Sequence, residues 1–167
     1  MVRDDWWLAP GAYHVLVGRS AEDIRAEAHL QVVGEPPALR RLTESAVAAA
    51  AFDAQDGALL VPCDANAGSA VTGRSPSAPF SLDFERCALD GARALEVTVR
   101  APDARRGWVE LLTRGDSGAW LRLGRVTPLA HDQEQLITLE LPGDGPPVVA
   151  LRLRVSPGLL VCEFRAE

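Results

Sequence analysis

From Arg93 to Glu167 apolar and polar residues alternate in run after run. Leu95, Val97 and Val99 fall on one side of an extended chain, and Glu96, Thr98 and Arg100 on the other. Val149, Leu151, Leu153 and Val155 repeat this against Arg152 and Arg154. A period of two over short runs predicts strands with one buried face. Gly, Pro, Asp and Ser fill the gaps between runs, as turns require. The pattern predicts strands at 93–100, 108–114, 119–126, 136–141, 148–155 and 159–165, and the run Phe80, Leu82, Phe84 adds another. The fold class expected is mainly β, an antiparallel β-sandwich. Its inward residues should include Phe80, Leu82, Phe84, Leu95, Val97, Val99, Val109, Leu111, Ile137, Leu139, Leu151, Leu153 and Phe164.

Earlier in the chain the pattern predicts a hairpin. Tyr13, Val15 and Val17 alternate with His14 and Leu16, Gly18-Arg19-Ser20 turns the chain, and Ile24, Ala26, Ala28, Leu30 and Val32 share a face opposite Arg25, Glu27, His29 and Gln31. Glu35-Pro36-Pro37 breaks the alternation. The segment 39–51 has helix-forming composition, with an Ala run after Thr43 and Ser45. It reads either as a short capped helix or as the first strand of the next domain.

Composition narrows the function classes. The chain has 167 residues, is 47% hydrophobic and 24% charged, and carries a net charge of -6. That is globular, and the acidic balance argues against nucleic acid as a partner. All 17 basic residues are Arg. Without lysine there is no Schiff-base or phosphate-loop chemistry. Cys63, Cys87 and Cys162 have neither zinc nor thioredoxin spacing, and Cys162, in an apolar run, is expected to be a buried thiol. No apolar segment approaches the roughly 20 residues that span a bilayer, so no membrane partner is expected. With no signal peptide legible at Met1–Trp7, cytoplasm is the default localisation.

Two stretches resemble known families. Trp7-Leu8-Ala9-Pro10-Gly11-Ala12-Tyr13-His14-Val15-Leu16-Val17-Gly18-Arg19-Ser20, with Asp23-Ile24-Arg25, resembles the end of the fibronectin type III-like domain that closes glycoside hydrolase family 3 enzymes. That domain ends in a Trp, a Pro-Gly turn, an aromatic-led strand, a Val-Gly-x-Ser turn and an Asp-Ile-Arg strand. The resemblance implies that residues 1–34 are the C-terminal hairpin of an incomplete domain. It also implies that the catalytic domains of a parent β-glycosidase are the partners. Phe52-Asp53-Ala54, Asp64-Ala65-Asn66-Ala67-Gly68, Pro79-Phe80-Ser81-Leu82-Asp83-Phe84 and the strand at 93–100 resemble a family 6 carbohydrate-binding module, a jelly-roll-like sandwich. The chain departs from that family at Ala48–Ala51, where an acidic pair is usual, and at Cys162-Glu163-Phe164, where the family ends in an Asp-Trp-Phe-type strand. The organisation expected is therefore a hairpin at 1–34, a linker or short helix at 35–51, and a module-like sandwich at 52–167.

Little chemistry is legible beside these resemblances. Gly115-Asp116-Ser117-Gly118 matches the stretch around the serine of chymotrypsin-like proteases, but no His stands in the context such a triad needs. Two glycines between alternating runs make a hairpin loop. The parent family's two carboxylates have no counterpart here, so no catalytic residue is assigned and the chain is expected not to be an enzyme. Asp64-x-Asn66-x-Gly68 resembles a calcium loop. It lacks the terminal Glu and flanking helices of the helix-flanked type, so a solvated turn is the competing reading. No cofactor is called for, and a structural calcium ion on Asp64 and Asn66 is the one metal left open. Trp108 and Trp120 are the candidate sugar platforms, each out of phase with the leucines beside it and so turned away from the core. Covering a sheet edge, burial or packing on a neighbouring domain is the alternative for both. The function expected is a non-catalytic accessory region of a family 3-like β-glycosidase. The alternatives are a stand-alone carbohydrate-binding module, or a structural or protein-interaction sandwich without ligand.

Overall fold

The computed structural model describes residues 11–20, 22–33, 39–63, 68–101, 107–114, 118–128, 133–142 and 148–167. The chain divides into two compact units, Met1–Ala38 and Leu39–Glu167.

The first unit is a two-stranded antiparallel hairpin of β1 (Gly11–Ser20) and β2 (Asp23–Val32). Tyr13 faces Leu30, Val15 faces Ala28 and Val17 faces Ala26, as the alternation predicts. The strand ends in a bulge at Gly18, where a Cβ would strike the Asp23 carbonyl. Ser20 Oγ then accepts the backbone N–H groups of Glu22 and Asp23 at 3.3 and 3.2 Å and holds the turn. Residues on both faces are exposed, with Val17 60% on one and Leu16 50% on the other.

The second unit is a sandwich of two sheets. Its strands are β3 (Arg40–Arg41), β4 (Val47–Ala48), β5 (Ala54–Asp56), β6 (Ala58–Cys63), β7 (Gly68–Gly73), β8 (Phe80–Ala88) and β9 (Ala94–Arg100). They continue with β10 (Val109–Arg114), β11 (Trp120–Val126), β12 (Glu134–Glu140), β13 (Val148–Val155) and β14 (Leu160–Ala166). One sheet runs β11-β10-β13-β8-β3, with β5 also on β8. The other runs β12-β9-β14-β7-β6, with β4 on β14. Every pairing is antiparallel except the two-residue contact of β3 with β8.

Every residue expected to point inward does so, from Ile137 at 5% exposure to Leu151 and Leu153 at 0%. Strands with one apolar face must bury it, and two such sheets face to face do this for each other. Phe84 of β8 meets Phe164 of β14 edge-on, 4.5 Å between ring centroids, and so links the two sheets. The bulk of the fold is therefore the mainly β, antiparallel sandwich that the periodicity predicts.

The segment 35–51 is not a linker or a capped helix over the part described. From Leu39 onward it belongs to the sandwich. Leu42 and Ala49 are 1% and 0% exposed, and only Ala49–Ala51 form a single 3-10 turn. Arg40 explains the difference. Its guanidinium donates to both Asp53 carboxylate oxygens at 2.6 and 2.8 Å, to the Glu85 carbonyl at 2.7 Å and to the Ala51 carbonyl at 3.0 Å. Asp53 also accepts the Glu85 N–H at 2.6 Å. These bonds tie the segment to β8, a long-range effect that local propensity does not register. Strands β6 and β7 also lie outside the alternating runs picked out in the sequence.

Candidate functional site

Alternation in the sheet β11-β10-β13-β8-β3 turns a second set of residues outward. In β10 and β13, Val109, Leu111, Leu151, Leu153 and Val155 enter the core. Glu110, Arg114, Arg152 and Arg154 therefore take the opposite face. The register aligns them across strands. Arg125, Glu110 and Arg154 form one row, and Arg122, Leu112, Arg152 and Asp83 the next. A bulge at Leu111/Leu112 leaves Leu123 without a partner and keeps Trp120 opposite Arg114, on the outer side.

Trp108 and Trp120 thus stand at the two ends of β10 on one face. Six residues of strand separate them, roughly 20 Å at about 3.3 Å per residue. Neither indole is bare. Arg152 lies 4.2 Å and Arg114 5.0 Å from the Trp120 ring centroid. Arg125 lies 4.3 Å and Arg154 5.6 Å from that of Trp108. Both indoles are half-buried.

Each of these arginines has an acidic partner. Arg152 donates Nε–H and Nη2–H to the two oxygens of Asp83, each at 2.6 Å, and this hydrogen bond keeps the guanidinium pKa above its ordinary value. Arg114 pairs with Glu85 at 2.5 Å. Glu110, its side chain 7% exposed, is shared by Arg122, Arg125 and Arg154 at 3.6, 3.4 and 3.5 Å.

The outer side of the second sheet carries a different feature. Glu96, Thr98, Leu136, Glu163, Arg165 and Ala46 line a groove of about 260 Å³, with Phe164 at its floor. Arg165 Nε donates to Glu96 at 2.8 Å. Phe164 is 1% exposed, so the groove has carboxylates for sugar hydroxyls but no aromatic face to stack on.

The candidate calcium ligands Asp64 and Asn66 lie outside the described residues, as do Trp6, Trp7, His131 and most of the Gly115–Gly118 loop. Among the described residues no His, Cys, Asp and Glu cluster is arranged to hold a metal ion. His14 and His29 are cross-strand partners on the hairpin, their rings stacked 4.4 Å apart, and His14 Nε2 lies 3.1 Å from Glu27. Sequence reasoning placed both tryptophans on the outside. It missed the arginines and acids around them. Their alternation was visible, but which strands lie side by side was not.

No protein-family model matches the chain, and no curated protein matches its sequence. Solved structures do match, and they show the fold. The module CsCBM6-3 from Clostridium stercorarium, in complex with cellobiose, superposes with a TM-score of 0.63 at 16% identity, over 78% of this chain and 97% of that one. A β-1,3-glucan-binding family 6 module from Bacillus halodurans gives 0.62 at 20% identity, over 78% and 99%. A family 43 arabinoxylan arabinofuranohydrolase from Bacillus subtilis gives 0.65 at 14% identity, over 90% of this chain but 32% of the enzyme. The sandwich therefore has the fold of family 6 carbohydrate-binding modules. The first two neighbours are binding modules rather than catalytic domains.

Proposed function

We propose that this chain is a carbohydrate-binding accessory region, with Trp108 and Trp120 as the aromatic ends of its glycan-binding face. One observation carries the reading: both indoles lie on the outer face of one sheet in a fold shared with carbohydrate-binding modules. Aromatic faces on a rigid sheet suit a flat, extended saccharide, and fixed side chains lose little entropy on binding. The groove at Glu96 and Glu163 is the weaker candidate because it lacks such a face.

The parent enzyme is a finer proposal. It rests on the Trp7–Arg25 resemblance to the end of family 3 glycoside hydrolases, in which catalytic domains precede this region. The neighbour from the family 43 enzyme lends the general arrangement support, since there too such a sandwich forms part of a glycosidase chain. A stand-alone module uses the same face, and reading the DNA upstream of Met1 separates the two.

The test is electrophoresis of the full chain through gels holding xylan, β-glucan or pectin. At least one polysaccharide should retard it, and Trp108→Ala or Trp120→Ala should weaken that binding by about tenfold, the loss of one aromatic anchor. If all three polysaccharides leave the mobility unchanged, the sandwich is a structural or protein-interaction domain instead.

A further inference from the structure

We propose that the Trp108 end of this face takes the charged residue of an acidic glycan, one whose sugar bears a carboxylate or a sulfate. The inference rests on the carbohydrate-binding reading above and narrows it to a ligand class. Its starting point is local charge. The whole chain carries -6, yet three guanidinium groups, those of Arg125 and Arg154 over Trp108 and that of Arg122 one row further along the face, share the single carboxylate of Glu110. Among the described residues, two positive charges are left over around Glu110. Among the described residues, the other acids of the face are each paired with another arginine or stand farther off. Asp83 is held by Arg152 and Glu85 by Arg114, and Asp56 stands on β5, two strands beyond Arg154.

The three guanidinia are also loosely held. They stand 3.4–3.6 Å from Glu110, against 2.6 Å for both bonds of the Arg152–Asp83 pair. Arg122, Arg125 and Arg154 are 64%, 46% and 52% exposed. Each guanidinium has five N–H donors in a planar fork that fits a carboxylate or sulfate bidentately. Glu110 has two oxygens and engages few of them. An incoming anion would meet free donors and also relieve the repulsion among three like charges.

The indole favours the same class. Arg125 lies over Trp108 at 4.3 Å. A neutral sugar stacking on that side must displace the guanidinium and forfeit its cation–π contact. An acidic sugar keeps the guanidinium, pairs with it, and rests its ring on the same layer. Strand β10 then carries the ligand chain from this corner toward Trp120, where each nearby guanidinium already has its own carboxylate.

Titration calorimetry on the full chain at low salt tests this. The probes are oligogalacturonate, its methyl ester, a sulfated galactan oligosaccharide, xylo- and cello-oligosaccharides, and polyglutamate. The acidic saccharides should bind about tenfold or more tightly than the methyl ester and the neutral oligosaccharides, as one charge-assisted bond predicts. Comparing the oligogalacturonate with the sulfated oligosaccharide tells which anion is preferred. Arg122→Gln and Arg125→Gln should each erase most of that advantage, and Arg125→Gln, which uncovers the Trp108 ring, should strengthen neutral binding rather than weaken it. Added salt should weaken the acidic ligands selectively. If neutral and acidic glycans bind equally, this inference falls and the broader reading stands. If no glycan binds, both fall. If polyglutamate binds as tightly as oligogalacturonate, charge alone is recognised and the sugar site is refuted.

Discussion

Replacing Arg152 by methionine strips Asp83 of its partner while keeping a long side chain on the sheet. Asp83 is 12% exposed and Arg152 30%. Breaking a fully buried ion pair by removing one member costs about 3–5 kcal/mol, because the other charge is left without water or a partner. Here water reaches the arginine side, which lowers the figure to about 2–3 kcal/mol. Trp120 also loses its nearer guanidinium, at 4.2 Å. That adds about 0.5–1 kcal/mol, the value for an exposed cation–π contact. The total expected is about 3 kcal/mol. The reverse change, Asp83→Leu, leaves a guanidinium that can turn to solvent and should cost only about 1–2 kcal/mol. The double variant should return to within about 1 kcal/mol of the parent, since neither charge is then stranded. Equilibrium urea unfolding of the four proteins, with unchanged slopes, closes the cycle. The reasoning is refuted if Arg152→Met costs no more than Asp83→Leu, or if the double variant costs the sum of the two.

Two further outcomes rest on burial. Burial pushes the thiols of Cys87 and Cys162 up to about 12 from the ordinary 9.0, with Cys63, 3.8 Å away sulfur to sulfur, adding to the effect at Cys162. Below the unfolded value both states hold the proton. Above it the unfolded chain ionises first, so stability should be lost as pH rises from about 9 toward 12, by roughly 1.4 kcal/mol per thiol per pH unit at most. Urea midpoints across that range should fall less steeply for Cys87→Ala, and equal slopes would count against burial as the cause. In the hairpin, the amides of β1 and β2 should exchange with solvent faster than those of Val97 and Leu151, because a two-stranded ribbon with exposed residues on both faces is marginal in water. Equal protection in a dilute, monomeric sample would mean that the hairpin is held by more than its own pairing.

Alternation alone specified the inward faces of β8, β9, β10, β12, β13 and β14. Leu95, Val97, Leu151 and Leu153 enter the core because a period of two admits one apolar face, and that face must leave water. The same rule placed Trp108 and Trp120 outside. Three things needed the tertiary structure. The first is the role of residues 39–51. Their Ala-rich composition favours a helix locally, but the bonds of Arg40 to Asp53, Ala51 and Glu85 join them to a strand more than 40 positions away. The second is the pair of strands β6 and β7, where Leu59 and Leu60 are both exposed and the alternation that marks other strands is missing. The third is the binding face itself. Glu110, Arg122 and Arg154 lie on three strands, and nothing in a linear chain states that β10 runs between β11 and β13. Strand order is settled by which apolar faces and turns close together. The charge of each residue is local information, while the field at Trp108 is a sum over strands distant in sequence.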